Sequence, residues 1–124
     1  MRRFKNILCI VEHGKEGTPV LDKAVTLAEH NQAKLTVVNV VSRVPAGIGM
    51  SDGGLNSRDL LAAMVSEHEA WVVSVIEPYR ERLDVEHGVL KGTSFLEIIR
   101  AVLRNGHDLV MKCPESPSWL DRFF

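Results

Sequence analysis

The chain lacks several things that would assign it quickly to a class. Its 124 residues carry a formal net charge of -1, so no global field draws it to nucleic acid or an anionic membrane. No apolar run approaches the roughly 18 residues that a membrane helix needs. The basic start Met1-Arg2-Arg3-Phe4-Lys5 precedes an apolar run that is too short for a signal peptide, and no small-residue cleavage site follows. A cytoplasmic location is the resulting expectation. Cys9 and Cys113 form no CxxC pair, which argues against a disulfide framework. The histidines 13, 30, 68, 87 and 107 show no HxH or HxxxH spacing, so no metal site is expected. There is no GxSxG element, no P-loop order of glycine and lysine, and no acid–base carboxylate pair. These absences point away from an enzyme.

What is present is an alternation of two patterns. Ile7-Leu8-Cys9-Ile10-Val11 is a short apolar run ending at Glu12-His13-Gly14, the mark of a strand buried on both faces. Gly14 to Gly17 reads as a loop, and Thr18-Pro19 as a helix start with Thr18 at the cap. Val20, Ala24, Leu27 and Ala28 give that helix an apolar face, and it fades near Asn31. Leu35 to Val41 is rich in β-branched residues and predicts a second strand. Ser42 to Gly54, with Pro45 and four glycines, is a connector. A long helical pattern then runs from about Leu55 through Leu61, Met64, His68, Trp71, Val72, Val75, Ile76 and Tyr79, with Pro78 set to kink or end it. His68 lies between Glu67 and Glu69, where a partly buried amphipathic contact accounts for it. Trp71 and Tyr79 read as core or interface residues.

Asp84 to Leu90, interrupted by Gly88, predicts a polar edge strand. Ser94 and Glu97 have the spacing of a capping box. Ile98, Ile99, Val102 and Leu103 are expected on the buried face of the helix that follows. Asn105-Gly106 stops it, and Asp108 to Lys112 is the fourth strand. The order β-α-β-α-β-α-β in a chain of one-domain length implies right-handed crossovers and a doubly wound parallel sheet. Ligands of such sheets sit beyond the carboxyl ends of the strands, at the topological switch point. The segments Glu12 to Gly17, Val40 to Gly54, Lys91 to Ser94 and Lys112 to Ser118 are therefore the ones to watch.

Several of these segments match one family. Phe4-Lys5-Asn6-Ile7-Leu8-Cys9-Ile10-Val11 resembles the first strand of universal stress proteins, which usually ends in an aspartate. Ala33 to Val41 resembles their second strand. Val89 to Ile99, followed by Gly106-His107-Asp108-Leu109-Val110, resembles their third strand, third helix and fourth strand. The ending Trp119-Leu120-Asp121-Arg122-Phe123-Phe124 looks most like the N-terminal domain of the tandem-domain branch. The resemblance implies a Rossmann-like fold of the adenine-nucleotide alpha-hydrolase type. It implies ATP binding in one subgroup and none detected in another. In the binding subgroup adenine and ribose lie near the ends of the first two strands, which here means Val11, Glu12 and Val40. Glu12 fits either a ribose acceptor or a solvated carboxylate at a strand end.

The phosphates in that subgroup rest on a glycine motif after the fourth strand. This chain has instead Cys113-Pro114-Glu115-Ser116-Pro117-Ser118, with no glycine after Gly106. Glycine lets backbone N–H groups approach phosphate, proline has no N–H to offer, and Glu115 would repel the anion. ATP held in the usual way is therefore not expected.

The reading that follows is a stress-response module acting by association, with weak or absent ATP binding. An ATP-binding switch or ATPase of the same fold, and a purely structural dimerisation domain of a tandem protein, are the alternatives. The resemblance further implies a fifth strand that this chain does not reach, leaving four strands in the order 3-2-1-4. The strand Asp108 to Lys112 would then be an open edge. Beyond it, Trp119, Leu120, Phe123 and Phe124 concentrate apolar surface, each worth on the order of 1.5–3 kcal/mol on burial. Self-association, or contact with a partner domain, through that edge and tail is the expectation.

Overall fold

A computed structural model describes residues 4–12, 18–41 and 57–112. Expectations for His13, the 14–17 loop, the 42–54 connector, Cys113 and the Trp119–Phe124 tail fall outside these residues. Four strands and three helices alternate: β1 (Asn6–Ile10), α1 (Thr18–Asn31), β2 (Lys34–Val41), α2 (Ser57–Ile76), β3 (Val85–Lys91), α3 (Ser94–Asn105) and β4 (Leu109–Lys112). All pairings are parallel, as the alternating pattern implies, and the sheet order is β3-β2-β1-β4, as the family resemblance implies. Both β3 and β4 are edges among the described residues.

The central strand β1 is apolar on both faces because both faces are covered. Ile7, Cys9 and Val11 enter a core with Leu21, Ala24, Val25 and Ala28 of α1, Leu35 and Val37 of β2, and Val72 and Ile76 of α2. Leu8 and Ile10 point the other way, towards Val38, Val40, Leu90 and the Ile98, Ala101 and Val102 side of α3. Burial of this depth raises the Cys9 thiol pKa to about 12, so the group is an inert filler. Pro78 ends α2 as expected, in a 3-10 turn over Glu77–Tyr79.

Two expectations for α3 are corrected. Its N-cap position is Thr93, one residue before Ser94, and it carries no side-chain cap bond. Glu97 Oε1 accepts from Arg100 Nη1 at 2.8 Å. The buried face is also narrower than the apolar periodicity suggests. Ile98, Ala101 and Val102 face the sheet, whereas Ile99 and Leu103 are exposed. Each residue step turns a helix by about 100°, so Leu103 leaves the face that Val102 occupies.

The far ends of the strands are tied by polar groups. The Asp108 carboxylate accepts from the backbone amides of Lys5 at 2.7 Å and Asn6 at 3.0 Å. Those bonds, the Lys5 amide foremost, hold its pKa below the usual carboxylate range. Asn6 donates its Nδ2 to Asn105 O and meets His107 Nδ1 through Oδ1 at 2.9 Å.

Candidate functional site

The carboxyl ends of β1 and β4 define the switch point, because α1 leads from β1 to one side and α3 delivers β4 to the other. Ile10 of β1 is in register with Lys112 of β4 and with Val38 of β2. Parallel pairing therefore sets Val11 and Glu12, just past β1, beside the end of β4. Val40 lies further along β2, in register with Leu90.

The three residues anticipated from the sequence offer different things. Val11 is fully buried, so only its backbone faces this chemistry, and both of its backbone groups have partners. Its N–H donates to Val38 O at 2.9 Å and its carbonyl accepts from Asn39 Nδ2 at 2.5 Å. Val40 is half-buried against the α3 side of the sheet. Glu12 is partly exposed, and its Oε1 lies 4.0 Å from Lys112 Nζ. The two side chains are 33% and 30% exposed, so water reaches the pair and screens it. Pairs of this kind contribute about 0.2–1 kcal/mol.

Sequence reasoning did not single out Asn39, His68 or Lys112 for this site. Asn39 is buried on β2 and joins three elements: its Nδ2 holds the end of β1, and its Oδ1 meets His68 Nδ1 on α2. Since the amide nitrogen is spent on Val11, Oδ1 must accept, and His68 Nδ1 carries the proton. The available signal was an amide inside a run of β-branched residues, because a buried amide is retained only with partners. No comparable signal links Lys112 to Glu12, which are 100 positions apart in the sequence.

The turn after β3 closes the adjacent end of the sheet. Gly92 N donates to Val41 O at 2.9 Å, and its φ of 130° is one that other residues rarely adopt. A Cβ there would stand 3.1 Å from Glu97 Oε1. Among the described residues no group of three or more His, Cys, Asp or Glu is placed to hold a metal ion. No helix among them is long and apolar enough to cross a membrane.

Comparison with known proteins identifies the relatives of this arrangement. The model of the universal stress protein family matches residues 3–124. A universal stress protein family member from Burkholderia pseudomallei superimposes with a TM-score of 0.72 at 19% identity, over 96% of this chain and 86% of that one. Universal stress protein UspA from Lactobacillus plantarum gives 0.70 at 18% identity, over 93% and 82%. A universal stress protein solved in complex with cAMP gives 0.51 at 15% identity, over 86% and 70%. At these identities the structural likeness carries the fold alone. No curated protein sequence matches the chain.

Proposed function

The chain belongs to the universal stress protein family, and from that premise we propose that it is a stress-response module of the cytoplasm that acts by association and binds ATP weakly or not at all. One observation supports this above others: Glu12, the acidic group at the end of β1, already has Lys112 opposite it across the switch point. A ribose hydroxyl at Glu12 would compete with that cation. The Val11 backbone is likewise engaged, by Val38 and Asn39. The segment after Lys112 lacks the glycines that would bring N–H groups to a triphosphate. In this reading the crevice of Val11, Glu12 and Val40 receives at most the adenine and ribose of a nucleotide. The cAMP complex of a distant relative supports nucleotides as the ligand class to test. The β4 edge, unpaired among the described residues, and the 119–124 tail are the proposed contacts for a second copy or a partner domain.

Titration calorimetry at physiological salt decides the ligand question, with ATP, AMP and cAMP as separate titrants. The expected result is no heat, or a dissociation constant above about 100 μM, that is, weaker than about -5.5 kcal/mol. Submicromolar ATP binding abolished by Glu12→Ala would refute the reading. Steady ATP turnover by the purified chain, lost in the same variant, would instead support the ATPase alternative.

A further inference from the structure

Five large apolar side chains are exposed among the described residues: Phe95 at 76%, Leu103 at 78%, Leu96 at 42%, Ile99 at 39% and Val110 at 40%. All five lie on one side of the sheet. On a helix turning about 100° per residue the four of α3 share an arc of roughly 100°, beside the Ile98, Ala101 and Val102 face that covers the strands. Val110 of β4 is in register with Leu8, whose side chain faces α3, so it belongs to the same side. The opposite side of β4 is closed, since Leu109 and Met111 pack into the core shared with α1. A monomer rarely leaves an apolar patch much above a few hundred Å² to water, so this stripe calls for a cover.

We infer that the stripe is the seat of the chain's own residues 113–124, which pass over Val110 and lay Trp119, Leu120, Phe123 and Phe124 along Phe95, Ile99 and Leu103. Spacing is the first support. Trp119 and Phe123, like Leu120 and Phe124, are four positions apart, the interval that repeats from Phe95 to Ile99 to Leu103. Ser118 and Asp121 have the Ser-x-x-Asp spacing of a helix start, and a turn or two of helix from there sets all four apolar residues on one side. So short a helix is not stable alone in water and needs a surface to form on.

Direction is the second support. All strands are parallel, so β4 finishes at the end of the sheet where β3 finishes and α3 begins. The chain that leaves Lys112 therefore emerges beside the Phe95 end of the stripe. Reach is the third. Residues 113–118 span up to about 20 Å when extended. Crossing two or three strands at about 4.8 Å each, and one layer of about 10 Å, takes roughly 15 Å. Seated this way the segment leaves the β4 edge open. A partner that engages the tail must draw it off α3, a step that rests on the contact proposed above for the tail; the seat itself does not.

The test reads the protection of Ile99. In a Cys113→Ser background, Ile99→Cys should react with a bulky maleimide about tenfold more slowly than the same chain lacking residues 119–124. The protection should be equal at about 1 μM and about 50 μM, as mass action requires of a contact within one chain. Arg104→Cys, exposed and off the stripe, should show no such difference. In the unsubstituted chain, deleting residues 119–124 should shift the methyl resonances of Ile99, Leu103 and Val110, which lose the ring currents of Trp119 and two phenylalanines. Those of Leu21 and Val25, in the opposite layer, should stay. Equal reactivity with and without the tail, or unmoved methyls on the stripe, leaves the surface to another occupant and overturns the inference. Protection that grows with concentration puts the contact between copies and also overturns it. Neither readout involves a nucleotide or a partner, so failure here is distinct from failure of the proposed function.

Discussion

Replacing Asn39 by alanine should cost more than any other single polar deletion near the crevice. Asn39 is buried, its Nδ2 donates to the Val11 carbonyl at 2.5 Å, and its Oδ1 accepts from His68 Nδ1. Without it the Val11 carbonyl, at the end of the central strand, loses its side-chain donor, and His68 loses an acceptor. A buried polar group stripped of its partner costs about 1–3 kcal/mol. The Val11 carbonyl should bear most of that, because His68 is only half-buried and recovers part from water. With a small void added, the total is about 2–4 kcal/mol, a large fraction of the roughly 5–15 kcal/mol that holds a domain together. Urea unfolding followed by circular dichroism reads this directly. With a slope of about 2 kcal/mol/M, the midpoint should fall by about 1–2 M. His68→Ala should cost less, and Asn39→Ala with His68→Ala should cost less than the two singles summed, by about 1 kcal/mol. A loss under about 1 kcal/mol for Asn39→Ala, or strict additivity of the pair, would refute the network.

Two further outcomes follow from the geometry. His107 is buried with no partner for Nε2 among the described residues, and burial, then the charge of Lys34, lowers its pKa from the ordinary 6.5. The folded state therefore disfavours the imidazolium: its contribution is fully present above about pH 6.5 and is lost as pH falls through the lower folded value. Melting midpoints should decline over that window, and His107→Gln should flatten this part of the profile; an unchanged slope counts against a neutral buried imidazole. Gly92→Ala should destabilise by about 1–3 kcal/mol, because the new methyl meets a φ of 130° and the Glu97 carboxylate together. Adding Glu97→Ala should recover only part of the loss; full recovery in thermal melts would mean that the backbone angle carries no cost.

The succession of strands and helices was legible because it rests on local pattern, whereas the sheet order and the choice of Val11, Glu12 and Val40 rested on the family resemblance. β-branched runs predict strands, and a parallel sheet leaves little freedom in how they connect. The reading failed where the decisive partner is remote or the error is one residue wide. Ile99 and Leu103 are as apolar as Ile98 and Val102, and periodicity alone does not say where a wide apolar arc stops being covered. Ser94 and Thr93 are both acceptable caps, and the backbone selects Thr93. Lys112 became part of the site only when β4 was set beside β1. Asn39 was the exception: an amide in an apolar strand announces a partner without saying which.

The Asp108 clasp on the amides of Lys5 and Asn6 ties residues 103 and 102 positions apart. During synthesis β1 leaves the ribosome about a hundred positions ahead of its second neighbour, β4. At about 5–20 residues per second the interval is roughly 5–20 s. Through that time one side of the most apolar strand in the sheet has β2 and the other has nothing native to pair with. Late closure of this kind raises contact order and slows folding. The nascent chain is therefore most open to mispairing with its neighbours on the same message, and most in need of a chaperone's shelter, until the segment from Asp108 to Lys112 arrives.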